Sequence, residues 1–113
     1  MSEFERILKT EYSENFDNLR KNRMVMSYYK YGLVKENYGN KLVNSIKTLE
    51  ERLELYKQTG NTEYLLDVAN QAMIEFMYPQ HPKPYFEATD SDKSPGLAGM
   101  SINELKAFDD DWS

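Results

Sequence analysis

Residues 41–77 read KLVNSIKTLEERLELYKQTGNTEYLLDVANQAMIEFM, and this stretch decides the fold. In its first half Leu42, Ile46, Leu49, Leu53 and Tyr56 recur at alternating steps of four and three, the period of one helix face. Gly60 supplies a stop, and Asn61 or Thr62 a start. The spacing predicts a helix over about 41–58, capped by Asn40, and a second one from there to about Met77. The second must end before Pro79, because a proline disfavours helical backbone in the residue ahead of it. So short a connection makes neighbouring helices pack antiparallel. The fold class is therefore all-α.

The second helix carries a polar trio. Taking Glu63 as the origin, Asp67 falls at about 40° and Asn70 at about 340° on a helical wheel. Leu65, Leu66, Val68, Ala69, Ala72, Met73, Phe76 and Met77 spread over the opposite arc. This is the pattern of an amphipathic surface helix with Glu63, Asp67 and Asn70 on its wet side. Ile74 breaks it by standing among the polar groups, which predicts a second contact surface there.

Upstream, Phe16, Leu19, Met26 and Leu33 recur close to helical period, with Arg23 in a polar slot among them. Ser13 is the expected N-cap and Gly32 the expected stop. A short helix at about 3–11 precedes this one or runs into it. The turn chemistry of "NYGN" at 37–40 suits positive φ at Gly or Asn. Three main helices thus form a bundle over 1–77. Downstream the four prolines cluster at 79–95, and residues 78–100 show no periodicity. Loops of that length are usually functional or disordered. Ser101 and Glu104 match a capping box, so a short helix is expected at 102–108. The whole, 1–113, is expected to be one helical domain with an extended arm over 78–113. Tyr85, Phe86, Leu97 and Met100 make that arm too apolar for a pure linker.

The chain of 113 residues has a net charge of −5 and no cysteine. Disulfides, thiol nucleophiles and cysteine-based zinc sites are excluded. No apolar run approaches the roughly 18 residues of a membrane span, and "MSEFERILKT" lacks the basic start and apolar stretch of a signal peptide. The expected location is cytoplasmic. The charge is unevenly distributed, with residues 1–19 at −3, residues 20–47 at +6 and the remainder at −8. The basic segment suits either a phosphate or acidic partner, or ion pairs with the acidic segments of its own fold. The acidic whole argues against general nucleic-acid binding.

Several residues are candidates for chemistry. Glu50 and Glu54 lie one turn apart beside the Leu stripe. Together with Glu63 and Asp67 on the facing helix they could hold Mg²⁺, which needs few protein ligands. Arg20, Lys21 and Arg23 would then offset phosphate charge. "MVMSYYKYG" at 24–32 sets Tyr28, Tyr29 and Tyr31 around Lys30, which suits base stacking or a protein interface. His81 stands in "QHPKPYF", an extended exposed loop by its prolines. "TDSDKSPG" at 89–96 alternates Asp90, Asp92 and Ser94 but fails the calcium-loop pattern, with Pro95 where Gly is needed. It reads as a turn.

Glu50, Glu51 and Glu54, followed by Glu63 and Asp67, resemble the motifs of MazG-like all-α nucleotide pyrophosphohydrolases. The match covers 45–77 alone and spaces its last two acids four apart, where that family spaces them three. The resemblance implies a helical, usually oligomeric protein with Mg²⁺ on those carboxylates. "DVANQAM" is similar to a helix of phage nucleotide-modification-associated proteins. Two functions are therefore expected. One is a small acidic interaction protein of phage or mobile-element type, blocking a host or defence protein as anti-CRISPR inhibitors do, with Tyr28, Tyr29, Tyr31, Ile74, Tyr85 and Phe86 at its interface and no cofactor. The alternative is a Mg²⁺-dependent nucleoside triphosphate pyrophosphohydrolase or a nucleotide-binding relative. The expected partners are a protein, a second copy of the chain, or a nucleotide.

Overall fold

The computed structural model describes residues 1–89. They form five helices: α1 (Glu3–Glu11), α2 (Glu14–Tyr31), α3 (Val34–Asn37), α4 (Ser45–Thr59) and α5 (Glu63–Met77). There is no strand among the described residues, and the all-α reading is correct. The predicted helix at 102–108, its Ser101–Glu104 capping box and the Asp90–Asp92–Ser94 turn lie outside the described residues.

The described chain divides into two compact units, residues 14–84 and residues 1–13 with 85–89. In the smaller unit, α1 is capped by Ser2, whose hydroxyl accepts from the Glu5 N–H at 3.0 Å. Arg6 pairs with Glu3 one turn back.

The larger unit is built on the α4–α5 hairpin. Gly60 ends α4 in the left-handed conformation, at φ 76°, with its N–H on the Tyr56 carbonyl at 2.7 Å. The side chain of Asn61 then accepts from the Glu63 N–H and opens α5. The two helices run antiparallel, because the start of α4 meets the end of α5. Ser45 donates its hydroxyl to Glu75 at 2.5 Å, and Arg52 faces Asp67. The other oxygen of Glu75 accepts from the Gln80 N–H at 2.6 Å, and the Gln80 side chain donates to the Tyr38 carbonyl. Residues just past α5 therefore fold back over its end.

α2 packs against α5, also antiparallel, since Arg20 meets Asn70 and Met73 while Arg23 meets Asp67 and Glu63. Gly32 closes α2 as expected, at φ 85° with its N–H on the Tyr28 carbonyl.

Three boundaries differ from the sequence reading. α4 begins at Ser45 and is capped by Asn44, whose side chain accepts from the Lys47 N–H at 3.0 Å. Asn40 is not its cap, and Leu42 lies outside the helix, exposed. α3 is an extra single turn inside the segment expected to be loop. In the turn, Lys41 holds the positive φ of 58°, while Gly39 serves a different need. A Cβ at Gly39 would collide with the Lys35 carbonyl oxygen and touch the Tyr78 ring.

The interior is thin. Among the described residues Ile74 is the fully buried hydrophobic side chain, at 3% exposure, joined by the buried polar groups of Ser45 and Asn70. Leu49, Leu53, Tyr56, Leu65, Leu66, Val68 and Met73 line the helix contacts half-buried.

Candidate functional site

Within the polar trio of α5, Glu63 is exposed, but Asp67 and Asn70 are turned inward. Asn70 is only 4% exposed. Its side-chain N–H donates to the backbone carbonyl of Arg20 in the middle of α2, at 3.0 Å. A helical carbonyl has a second lone pair free for such a bond. A short Asn side chain reaches it only where the two helices approach closely.

One turn away, Arg23 grips Asp67 with two parallel hydrogen bonds, from Nε at 2.8 Å and Nη2 at 3.2 Å. This fork geometry is the strong form of the arginine–carboxylate pair. Arg23 also donates to Glu63 at 3.0 Å, and Arg52 of α4 approaches Asp67 from the other side at 3.5 Å. The hydrogen bond to Asp67 raises the guanidinium above its ordinary basicity against the opposing effect of burial, with the charges of Asp67 and Glu63 adding to it. Asp67 thus joins three helices, through α2, α4 and its own α5.

Arg20 and Lys21 turn back on Asp17, at 2.7 and 3.3 Å. Burial pushes the Asp17 carboxyl up, but the hydrogen bond and charge of Lys21, together with Arg20, outweigh it and hold the group below its usual range. So the three cations singled out as phosphate ligands, Arg20, Lys21 and Arg23, are all paired within the chain. Of the two roles open to the basic segment, internal ion pairing is the one these three perform.

The proposed metal residues are not brought together. Asp67 and Glu63 are held by guanidinium groups. Glu50 and Glu54 line a separate surface depression with Lys47, and Glu54 accepts from Gln58. Among the described residues no three carboxylate or histidine side chains stand close enough to hold a metal ion. The residues present do not fit the ion. His81 is exposed, and its Nδ1 accepts from the Lys83 N–H at 2.9 Å, which organises its own loop.

The expected interface residues separate. Tyr28, Tyr29, Tyr31, Tyr85 and Phe86 are exposed. Ile74 is not open to a partner, because the chain itself covers it. It is among the residues lining an open pocket of about 510 Å³ between α2, α3, α4 and α5. Asn70, Gln71, Lys30 of α2 and Arg52 of α4 line it too.

α2 is barely amphipathic, with apolar side chains on both its packed and its exposed sides. The side chains it turns toward α5 include Arg20, Arg23 and Ser27, helped by Phe16 and Met24. Leu19, Val25, Met26, Tyr28 and Tyr29 are exposed, Val25 at 56% and Tyr29 at 81%. The Tyr28 and Tyr29 rings meet edge to face at 5.2 Å. Of the predicted Phe16–Leu19–Met26–Leu33 stripe, Phe16 alone belongs to the packed side, and Leu33 lies beyond the helix.

No protein family, no characterised protein and no solved structure matches this chain. Its site must be read from its own geometry. No helix among the described residues is long and apolar enough to cross a membrane.

Proposed function

We propose that the chain is a non-catalytic interaction protein that binds another macromolecule through the outer face of α2. The exposed apolar residues of that helix carry the reading. A helix packed on a lone domain normally turns its large apolar groups inward. Here Leu19, Val25, Met26, Tyr28 and Tyr29 are exposed, while Arg20 and Arg23 reach α5. Exposed apolar clusters rimmed by polar groups mark binding surfaces, and tyrosine is enriched at their hot spots. Lys30 and Lys35 make no ion pair among the described residues. They favour a partner whose apolar centre is edged with acidic groups. The half-buried interior of residues 14–84 supports the same reading, because a small domain with little core gains stability by covering more surface. That the partner is a host or defence protein is part of this proposal.

The test pairs a pull-down with sedimentation velocity on wild type and on Val25→Asp/Tyr29→Asp. The reading expects one stoichiometric partner, or a defined self-assembly, that the double variant loses while its helix content stays unchanged. A wild-type chain that sediments as a monomer and retains nothing stoichiometric overturns it. Nucleoside triphosphate turnover with Mg²⁺ that Asp67→Ala abolishes would replace it with the hydrolase reading.

A further inference from the structure

All three asparagines of α2 lie on its exposed side, and their spacing points to what covers it. Asn15, Asn18, Asn22, Val25 and Tyr29 follow one another at steps of three, four, three and four, and all five are exposed. That alternation is the seam of a helix packed lengthwise on another helix. Measured from Asn22 on a helical wheel, the five fall within an arc of about 80°. Arg20 and Arg23, which reach α5, lie about 100–160° away. Asparagine is a weak helix former, because its side chain competes for backbone hydrogen bonds. Three of them on one face of an 18-residue helix cost stability that the lone chain does not recover, since all three stand in solvent. Between two helices they have a use. An amide both donates and accepts, so it pairs with a second amide, and a polar layer inside a helix pair fixes the register.

The order of the layers selects the occupant and its direction. The seam is polar over its first three positions, apolar over its last two and uncharged throughout. A second copy lying parallel and in register sets Asn15, Asn18 and Asn22 each against its own counterpart, then Val25 on Val25 and Tyr29 on Tyr29. Amide meets amide, apolar meets apolar, and no charge in the seam faces a like charge. Leu19 and Met26, both exposed, flank the seam and add apolar cover. Tyr28 braces the Tyr29 ring edge to face. Reversing one copy at full overlap would instead set Asn18 on Tyr29 and Asn22 on Val25, burying amides without partners.

We infer that α2 pairs with α2 of a second copy of this chain, parallel and in register, through the seam from Asn15 to Tyr29. The inference rests on the proposal that the outer face of α2 is a binding surface, and it names what occupies the centre of that face. Lys30 and Lys35 lie off the seam, so pairing leaves them at its edge for an acidic partner.

Two measurements test it. With only two apolar layers the pair is weak, so in sedimentation velocity the full chain should pass from monomer to dimer between about 10 µM and about 1 mM. Asn22→Leu should associate about tenfold more tightly, because it exchanges a register-setting layer for an apolar one. The second measurement is disulfide linking, in a chain that has no cysteine of its own. Asn15→Cys and Tyr29→Cys, made singly, place the thiol at positions about 21 Å apart along the helix. Parallel pairing predicts that each variant links to its own counterpart on mild oxidation, well ahead of Glu51→Cys, which is exposed on α4. An antiparallel pair would let at most one of the two link. Failure of either to link faster than Glu51→Cys overturns the inference, as does equal or weaker association of Asn22→Leu. A chain that stays monomeric at about 1 mM overturns it too. If that monomer still retains a stoichiometric partner, lost on Val25→Asp/Tyr29→Asp, the second copy is ruled out and the binding surface on α2 stands.

Discussion

At the scale of single residues, Arg23 and Asn70 hold α2 against α5 by polar bonds where a hydrophobic seam would be usual. Arg23 is about a third exposed and Asp67 about a fifth. Their pair therefore lies between surface pairs, worth under about 1 kcal/mol, and buried ones, whose disruption costs about 3–5 kcal/mol. Arg23→Met should lower stability by about 2 kcal/mol, read from urea unfolding, with Arg52 limiting the loss by staying near Asp67. Arg23→Lys should recover little of it, because an ammonium cannot make the two-pronged contact. A loss smaller than that of Lys21→Met, whose side chain is mostly exposed, would mean that the fork does not anchor α2. The sequence held both irregularities that mark this contact. Arg23 occupies a slot where the helix period suits an apolar group, and Ile74 stands among polar neighbours. A wheel drawn for one helix assigns its polar side to water. It cannot show that a second helix brings a polar side to meet it.

At the scale of elements, the clearest sequence signals were those in which one residue controls the backbone locally. Gly32 and Gly60 stop their helices where expected, and α5 ends just ahead of Pro79. The turn before α4 was less legible, because its glycine works by close approach, which only the folded chain defines. This leads to a paired expectation. Gly39→Ala should destabilise by more than about 1 kcal/mol, since the Lys35 carbonyl oxygen blocks a Cβ and backbone cannot yield cheaply. Lys41→Gly should instead raise stability by several tenths of a kcal/mol up to about 1, because it relieves left-handed backbone at a residue with a Cβ. Thermal unfolding of the two variants decides it. Equal and opposite signs to these would restore the reading in which Gly39 supplies the positive φ. Asn44, four residues after the expected cap, shows the same limit: several Asn residues competed for one start, and the folded turn chose among them. The outward placement of Val25 and Tyr29 on α2 was the least legible feature, for it depends on what the other helices present.

At the scale of the molecule, a thin interior shifts weight onto ion pairs, and pH should reveal it. The Asp17 carboxyl titrates below its ordinary 3.8 in the folded chain. Above that value both folded and unfolded chains carry the charge, and its stabilising effect is complete. As pH falls through the ordinary value the unfolded chain takes up a proton first, so stability is lost from there down to the lowered folded value and not at neutral pH. The Tm of Asp17→Asn should therefore lie below wild type at pH 7 and converge on it as pH falls below the lowered folded value. A constant gap across that range would rule out the carboxylate's charge as the cause. The two helix contacts also differ in kind. α4 and α5 share the Leu stripe and the buried Ser45–Glu75 bond, whereas α2 is tied down by partly exposed guanidinium–carboxylate contacts that dissolved ions screen. Added salt should then loosen one part of the fold and spare the other. Amide protons of α2 would exchange with deuterated solvent faster at 1 M than at 0.1 M sodium chloride, roughly the interval over which the screening length falls from about 10 to about 3 Å. Those of α5 would change little, so that the helix proposed to bind a partner is also the one that ionic strength can release from the remainder.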